Sequence, residues 1–297
     1  MTVTEIDTDL DPGREAGRPR GGRLFRRLRR SPLAMTGFVV LTLAVLAAVL
    51  APVLAPYSPD HADFSAVFQP PGSPGHLLGT DSLGRDILSR ILFGARASLL
   101  VGVLSVLLAL VVGVPLGLVA GYVSALDAVV SRLTDVVLAF PFLILAVGLA
   151  AIRGASLSNA ALAIGISQIP GIIRVTRSET LRLKSLDYVA AAVAEGATDL
   201  WVVVRHILPN ATSVLIVQAT VAIPGAILGE AVLSFLGLGI QPPSPSLGTM
   251  LSEAQDSISR APWTAVMPGI AIMVLTLAFN LFGDGLRDAL DPRGSRR

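Results

Sequence analysis

Residues Asp187–Asn210 read DYVAAAVAEGATDLWVVVRHILPN, and this stretch decides how the chain is organised. It lies between long apolar runs, yet it carries charges that a bilayer core would not accept. A cluster of small residues stands before Gly196, which tolerates the positive φ of a turn. Pro209 suits the first turn of a following helix. The segment therefore predicts a helical hairpin in water between two membrane spans.

The composition places the whole chain among integral membrane proteins. Of its 297 residues, 53% are hydrophobic and only 15% are charged, and the mean hydropathy is +0.71. Soluble domains carry roughly a quarter charged residues. The chain has no cysteine, which excludes disulfides and thiolate metal sites. The only lysine, Lys184, does not follow a glycine, so there is no phosphate-binding loop and any nucleotide hydrolysis would come from a partner chain.

Six runs without charged residues are long enough to cross a bilayer as helices. A hydrocarbon core of roughly 30 Å requires about 20 predominantly apolar residues in a helix. The runs are Ser31–Pro59, Ala97–Leu126, Val136–Ile152, Gly154–Ile173, His206–Gly229 and Ala261–Gly283. The sequence thus predicts an all-α integral membrane protein with six transmembrane helices.

The basic residues favour an orientation with both termini in the cytoplasm. In that orientation only five of the 23 basic residues lie outside, and these are Arg85, Arg90, Arg96, Arg153 and Arg260. The others lie in the two tails, the hairpin and an inner loop, as the positive-inside rule requires. The first apolar run is longer than the roughly 7–15 residues of an export signal, so it is interpreted as a retained span.

These boundaries divide the chain into segments with different surroundings. They are a basic cytoplasmic tail expected to be disordered (1–30), the first span (31–56), an extracytoplasmic loop (57–93), the core (94–287) with its cytoplasmic hairpin (178–207), and a second cytoplasmic tail (288–297).

The outer loop ends in LGTDSLGRDILSRILFGARASL, residues Leu78–Leu99. Apolar residues recur in it at intervals of four, with charged residues between them. This pattern predicts an amphipathic helix on the membrane surface, with Thr80 or Asp81 as its N-cap. The alternative is an ordinary extension of the second span.

Glycines spaced by four suggest close helix packing. Gly113, Gly117 and Gly121 form a smooth ridge on the second span, and Gly225 and Gly229 do so on the fifth. Such ridges let another helix backbone approach closely. That helix belongs either to the same chain or to another subunit.

The fifth span also contains Pro224, which permits a kink, and Glu230, an ionisable group in an apolar stretch. A charged group there faces the bundle interior or water. Both residues are candidates for a transport pathway or gate, with a structural role as the alternative. The three histidines are scattered and no nucleophile stands beside a base, so no metal-ligating or catalytic residue is assigned.

The hairpin spacing resembles the EAA motif of permease subunits of ABC importers, the loop that docks onto the ATPase. Four further stretches resemble the C-type permease of the dipeptide/oligopeptide/nickel family of such importers. They are His76–Leu99, Leu233–Leu251, Ala261–Ile272 and Phe279–Arg293. The resemblance covers essentially everything after Ser31.

The resemblance implies a type I ABC importer permease fold in a prokaryotic plasma or inner membrane, with a core of five helices and the first span wrapped around it. The implied partners are a homologous B-type permease, two ATP-binding subunits, an extracytoplasmic substrate-binding protein and membrane lipid, but no nucleic acid. ATP and Mg would bind to the partner subunits, so this chain would hold no cofactor and would not be an enzyme. Peptides are the expected substrate, with nickel complexes or other small solutes as the alternative.

The resemblance also assigns coupling residues within the hairpin. They are Ala190, Ala191, Ala192, Glu195, Gly196, His206, Leu208 and Pro209. The glutamate that opens the family motif is replaced by Ala190 here. Glu195, five residues further on, lies on another face of a helix. If the usual glutamate pairs with an arginine of the ATPase, packing must replace that contact in this protein.

Two other classes of protein were compared with this interpretation. A secondary transporter driven by an ion gradient would have repeated halves and several paired charges within the membrane. This chain has one clear intramembrane charge and a hairpin that such a protein does not need. A membrane scaffold that moves nothing is the third possibility.

Overall fold

The computed structural model describes residues 31–290, and the prediction of an all-α chain is confirmed, since these residues form helices and no strand. The helices are α1 Pro32–Val49, α2 Ala51–Leu54, α3 Ile87–Tyr122, α4 Ser124–Ala139, α5 Phe142–Arg153, α6 Leu157–Lys184, α7 Asp187–Ala194, α8 Asp199–Val202, α9 Leu208–Phe235, α10 Leu247–Glu253 and α11 Trp263–Leu290. The predicted tail of residues 1–30 lies outside the described residues. Helix α11 continues to Leu290, so residues 291–297 are the part of the predicted second tail that lies outside the described residues.

Four helices among the described residues are long and apolar enough to cross a membrane. They are α1, α3, α11 and the continuous stretch Asp199–Phe235, which contains α8 and α9. Helices α4 and α5 together qualify as a fifth, although they are bent by 80° relative to each other. The predicted count of six is therefore not confirmed. The run predicted as the fourth span lies in α6, whose second half is rich in charged residues.

The third predicted span is broken at Pro141. Helix α4 ends before Phe140, which has an extended backbone, and α5 starts after Pro141. A proline ring disfavours the helical conformation of the preceding residue, and it lacks the N–H that would continue the helix. The run Val136–Ile152 is therefore two helical pieces rather than one straight span.

The glycine ridge of α3 packs against α6 of the same chain. A Cβ atom at Gly113, Gly117 or Gly121 would lie 2.8, 2.5 or 2.6 Å from the nearest α6 side-chain atom, which belongs to Ile172, Thr176 or Thr180. The two helices therefore approach closely only because these side chains are missing. In the structure the ridge serves packing within this chain. On α9, by contrast, nothing lies within 4 Å of a Cβ built at Gly225.

We expect Gly117→Ala to destabilise the protein, because its Cβ would also lie 2.9 Å from the backbone oxygen of Ile173. Overpacking of this kind costs about 1–3 kcal/mol. The measurement is the midpoint of thermal unfolding in detergent. Gly148→Ala is the matched control, since nothing lies within 4 Å of its Cβ. Equal midpoints for the two variants would show that α3 and α6 are not held at this distance.

The outer loop does not contain a separate surface helix, so that prediction is wrong for the described residues. Residues 87–93 are the first turns of α3, and the alternative of an extended second span is the one observed. Asp86 is the N-cap, because its Oδ2 accepts hydrogen bonds from the backbone N–H and the hydroxyl of Ser89 at 2.8 and 2.7 Å. Asp81 does not cap a helix, because none begins there. Its Oδ1 accepts the backbone N–H groups of Leu83 and Arg85, and its Oδ2 binds the guanidinium groups of Arg85 and Arg90.

Four charged side chains fasten the outer loop to α10. Oε2 of Glu253, the last residue of α10, accepts hydrogen bonds from Arg85 and Arg90, each at 2.7 Å. Asp81 accepts from the same two guanidinium groups at 2.7 and 2.5 Å. Arg90 is only 1% exposed. The cluster joins parts of the chain more than 160 residues apart.

Candidate functional site: the hairpin and a membrane groove

The predicted hairpin is present between α6 and α9. Helix α7 is followed by a turn at Gly196, whose φ of +85° lies in the left-handed region that favours glycine. Helix α8 then leads through one π-helical turn, Val203–Ile207, into α9. Pro209 lies just after this π-helical turn, within the continuous helical stretch Asp199–Phe235.

An apolar cluster fixes the hairpin against the end of α3. Buried side chains from the hairpin pack against Leu118 and Tyr122 of α3, and these are Val189, Ala192, Val202 and Ile207. Ala192 is therefore part of the inner packing surface. The predicted coupling residues Ala190 and Ala191 lie on the exposed side of the same helix.

A polar contact that the sequence did not reveal joins the hairpin to α3. The Tyr122 hydroxyl hydrogen-bonds the carboxylate of Asp199, at the start of α8, at 3.0 Å. Lys184 Nζ donates to the backbone oxygen of Tyr122 at 2.7 Å and lies 4.7 Å from the centre of its ring. The single lysine of the chain, at the end of α6, was the only sequence signal for this contact.

His206 packs against two aromatic side chains of the hairpin. Its ring lies 4.7 Å from that of Trp201 in an edge-on arrangement and 6.1 Å from that of Tyr188. Nε2 of His206 is buried and has no hydrogen-bond partner among the described residues. The side chain is thus held by ring contacts with α7 and α8.

The outward side of the hairpin is an apolar face, which we call the docking face. It consists of Ala190, Ala191, Val193, Ala194, Leu200, Trp201 and Val204, all exposed. Leu200 is 73% exposed. Exposed apolar side chains grouped in one hairpin indicate a site of protein–protein or membrane contact. Glu195, which ends α7, and Pro209 are also exposed, whereas Leu208 is half-buried.

A groove of about 840 Å³ lies between α4, α5, α6 and α9. Most of its lining is apolar, as in sites for small ligands. The polar side chains that line it are Ser167, Gln168 and Arg174 of α6 and Gln218 of α9. Gly171 and Gly225 leave parts of its wall without side chains.

Neither Pro224 nor Glu230 lines this groove. Glu230 is fully buried, at 0% exposure, and its carboxylate accepts hydrogen bonds from Ser98 of α3 at 2.5 Å and from Ser234 at 2.7 Å. Ser234 in turn accepts from the backbone N–H of Ile240. Through these contacts Glu230 joins α9 to α3 and to the loop that follows α9. Pro224 is buried as well.

No group of three or more potential ligand side chains that could hold a metal ion is present among residues 31–290. A hairpin with exposed apolar side chains and a groove between bent apolar helices are features expected of a membrane permease.

Comparison with known proteins gives the family. Residues 113–296 match the family described as binding-protein-dependent transport system inner membrane component. Residues 20–71 match the N-terminal transmembrane domain of oligopeptide transport permease C. The chain belongs to this family of ABC importer permeases.

Two relatives show how far the similarity extends. The dipeptide transport system permease protein of Alkalihalophilus pseudofirmus is 44% identical over 96% of this chain and 91% of its own length. The glutathione transport system permease protein of Pectobacterium atrosepticum is 44% identical over 91% of this chain and 90% of its own.

A solved structure has the same fold. The MetNI methionine ABC transporter, in inward-facing conformations, contains a chain that aligns with a TM-score of 0.58 at 20% identity, covering 68% of this chain and 96% of that one. At this level of identity the likeness concerns the fold alone. The predicted permease fold is confirmed.

Proposed function

We propose that this chain is the permease subunit of an ATP-driven peptide importer and forms half of the translocation pathway. The groove between α4, α5, α6 and α9 carries this proposal, because its volume of about 840 Å³ is lined mostly by apolar side chains of these helices. Relatives at 44–46% identity are named as dipeptide and di/tripeptide permeases. Small peptides are therefore the favoured substrate over nickel complexes or other solutes.

The docking face is proposed to bind an ATPase subunit. The hairpin is held rigidly against α3 by its apolar cluster and by the Tyr122–Asp199 hydrogen bond. A movement of the bound ATPase subunit against the docking face would therefore displace α3, α6 and α9 together. The complex would also contain a second, homologous permease, a second ATPase and an extracytoplasmic binding protein. ATP hydrolysis would take place on the ATPases.

The test of this function is reconstitution in liposomes of the chain with the permease, ATPases and binding protein encoded beside it. We expect uptake of trialanine that requires ATP and the binding protein. Uptake by this chain alone, driven by an ion gradient, would instead support a secondary transporter. Uptake of nickel complexes without peptide uptake would support the alternative substrate.

The proposed orientation places the hairpin and both termini in the cytoplasm. Because the chain has no cysteine, a single introduced thiol reports its own side of the membrane. Ala190→Cys and Pro74→Cys place the thiol at exposed positions of the hairpin and the outer loop. In right-side-out vesicles, an impermeant maleimide is expected to label position 74 and not position 190. Labelling in the reverse pattern would contradict the orientation.

Restoring the glutamate of the family motif tests how the docking face works. We expect Ala190→Glu to weaken ATPase binding, because Ala190 lies among exposed apolar side chains, and a buried unpaired carboxylate costs several kcal/mol, of the order of 3–5. A retained basic partner would give only about 0–1 kcal/mol of stabilisation. The measurement is the affinity of the purified permease pair for the ATPase, with Ala190→Gln as a control of similar size. Equal or tighter binding by Ala190→Glu would contradict apolar docking.

A further inference from the structure

The groove presents two side-chain amides whose hydrogen-bonding capacity is not used within the protein. Oε1 of Gln168 is buried without a hydrogen-bond partner among the described residues. Buried acceptors are nearly always paired, and leaving one unpaired is costly. This oxygen has no surface open to the groove, so it reaches a group that arrives from outside the protein only when the side chain turns toward the groove.

Gln218 faces the same groove from α9 and makes no hydrogen bond within residues 31–290. A glutamine amide offers two N–H donors and one carbonyl acceptor, the same groups that a peptide main chain offers and requires. The surrounding apolar wall supplies no other partner for these groups apart from Ser167 and Arg174. Ser167 already donates its hydroxyl hydrogen to the oxygen of Ile164.

The positions of the two amides along the groove fit an extended peptide. Helix α6 ends at the hairpin and α9 starts from it. Val214 of α9, one turn before Gln218, lines a small pocket with Arg174 of α6, so Gln218 lies near the level of Arg174. With a rise of about 1.5 Å per residue, Gln168 lies about 9 Å further along α6. This separation corresponds to roughly three residues of extended chain, at about 3.3 Å each.

Arg174 adds a positive charge near the level of Gln218, one turn from Val214, which lines a pocket with it. Among the described residues that line the groove it is the one charged side chain, and it forms no ion pair within residues 31–290. A carboxylate is the group that pairs best with a free guanidinium. A peptide with a free carboxyl terminus brings one.

We propose that Gln168 and Gln218 bind the main chain of the peptide during passage, with Arg174 receiving its carboxylate. Contact with the main chain alone makes the pathway indifferent to the peptide's side chains, which face the apolar wall and the bare backbone at Gly171 and Gly225. The inference rests on the proposed function and identifies the chemistry by which the groove handles its substrate.

The experiment uses the full complex in liposomes and measures KM and kcat of uptake for trialanine and triserine. The variants are Gln168→Met, Gln218→Met and the double variant, in which apolar chains of similar length replace the amides. Each single variant is expected to lower kcat about 3- to 10-fold, as loss of a neutral hydrogen bond does, and to the same extent for both peptides. Val221→Met is the matched control, because it places the same side chain at an apolar position of the groove.

ATP hydrolysis stimulated by the binding protein confirms that each variant complex has assembled, and Gln168→Asn, which keeps the amide, should retain more activity than Gln168→Met. Arg174→Gln is expected to lower the uptake of trialanine more than that of its carboxyamide. A double variant that transports both peptides within two-fold of Val221→Met overturns the assignment of the glutamines. So does a loss confined to one of the two peptides. Absence of peptide uptake by the wild-type complex would instead contradict the proposed function itself.

Discussion

Replacing Gly196 with proline is expected to abolish ATP-driven transport while the protein remains in the membrane. The φ of Gly196 is +85°, whereas proline fixes φ near −65°. Proline also lacks the N–H that Gly196 donates to the backbone oxygen of Val193 at 3.0 Å. The turn between α7 and α8 must then open, and the docking face, formed by residues on both sides of the turn, comes apart.

Gly196→Asn is the control for this prediction. Asparagine tolerates the left-handed region better than other residues with a side chain, and nothing lies within 4 Å of a Cβ at this position. We expect the asparagine variant to keep most of its transport activity. The measurement is ATP hydrolysis stimulated by substrate and binding protein in the reconstituted complex. Normal stimulation in Gly196→Pro would show that the hairpin turn does not couple the two subunits.

Replacing Arg90 with methionine is expected to cause the largest loss of stability. The Arg90 guanidinium is buried between Asp81 and Glu253. Its removal leaves two carboxylates, one of them mostly buried, facing only Arg85. Breaking a buried ion pair by removing one partner costs about 3–5 kcal/mol. We therefore expect a clearly lower midpoint of thermal unfolding in detergent, with proteolysis starting in the outer loop.

Arg96→Met provides the comparison on the same helix. Arg96 is exposed and forms no ion pair among the described residues, and substitutions at such surface positions usually change stability by less than about 0.5 kcal/mol. If both arginine variants unfold at the wild-type temperature, the cluster does not hold the loop to α10.

The sequence alone determined the class and the family. Apolar composition reports burial in lipid regardless of how the helices pack, so the membrane character was evident from the residues. Gly196 and Pro209 act through local backbone geometry, and local geometry can be predicted from the residue type. For the same reason the turn at Gly196 lies between two helices, as the sequence predicted. Pro141 is also visible in the sequence, but only the structure shows that the helix is broken there.

What the sequence could not determine depends on contacts between distant segments. Glu230 is a candidate for the pathway or gate, and only the packing of α9 against α3 decides that its carboxylate binds Ser98 and does not line the groove. Asp81 was a candidate N-cap, but α3 begins at Ile87 and Asp86 caps it, while the Asp81 carboxylate binds Arg85 and Arg90. Gln168 and Gln218 are unremarkable in the chain, and they share a cavity only because α6 and α9 run side by side. The direction in which a polar side chain faces on an apolar helix is set by its neighbours in space, which the order of residues does not specify.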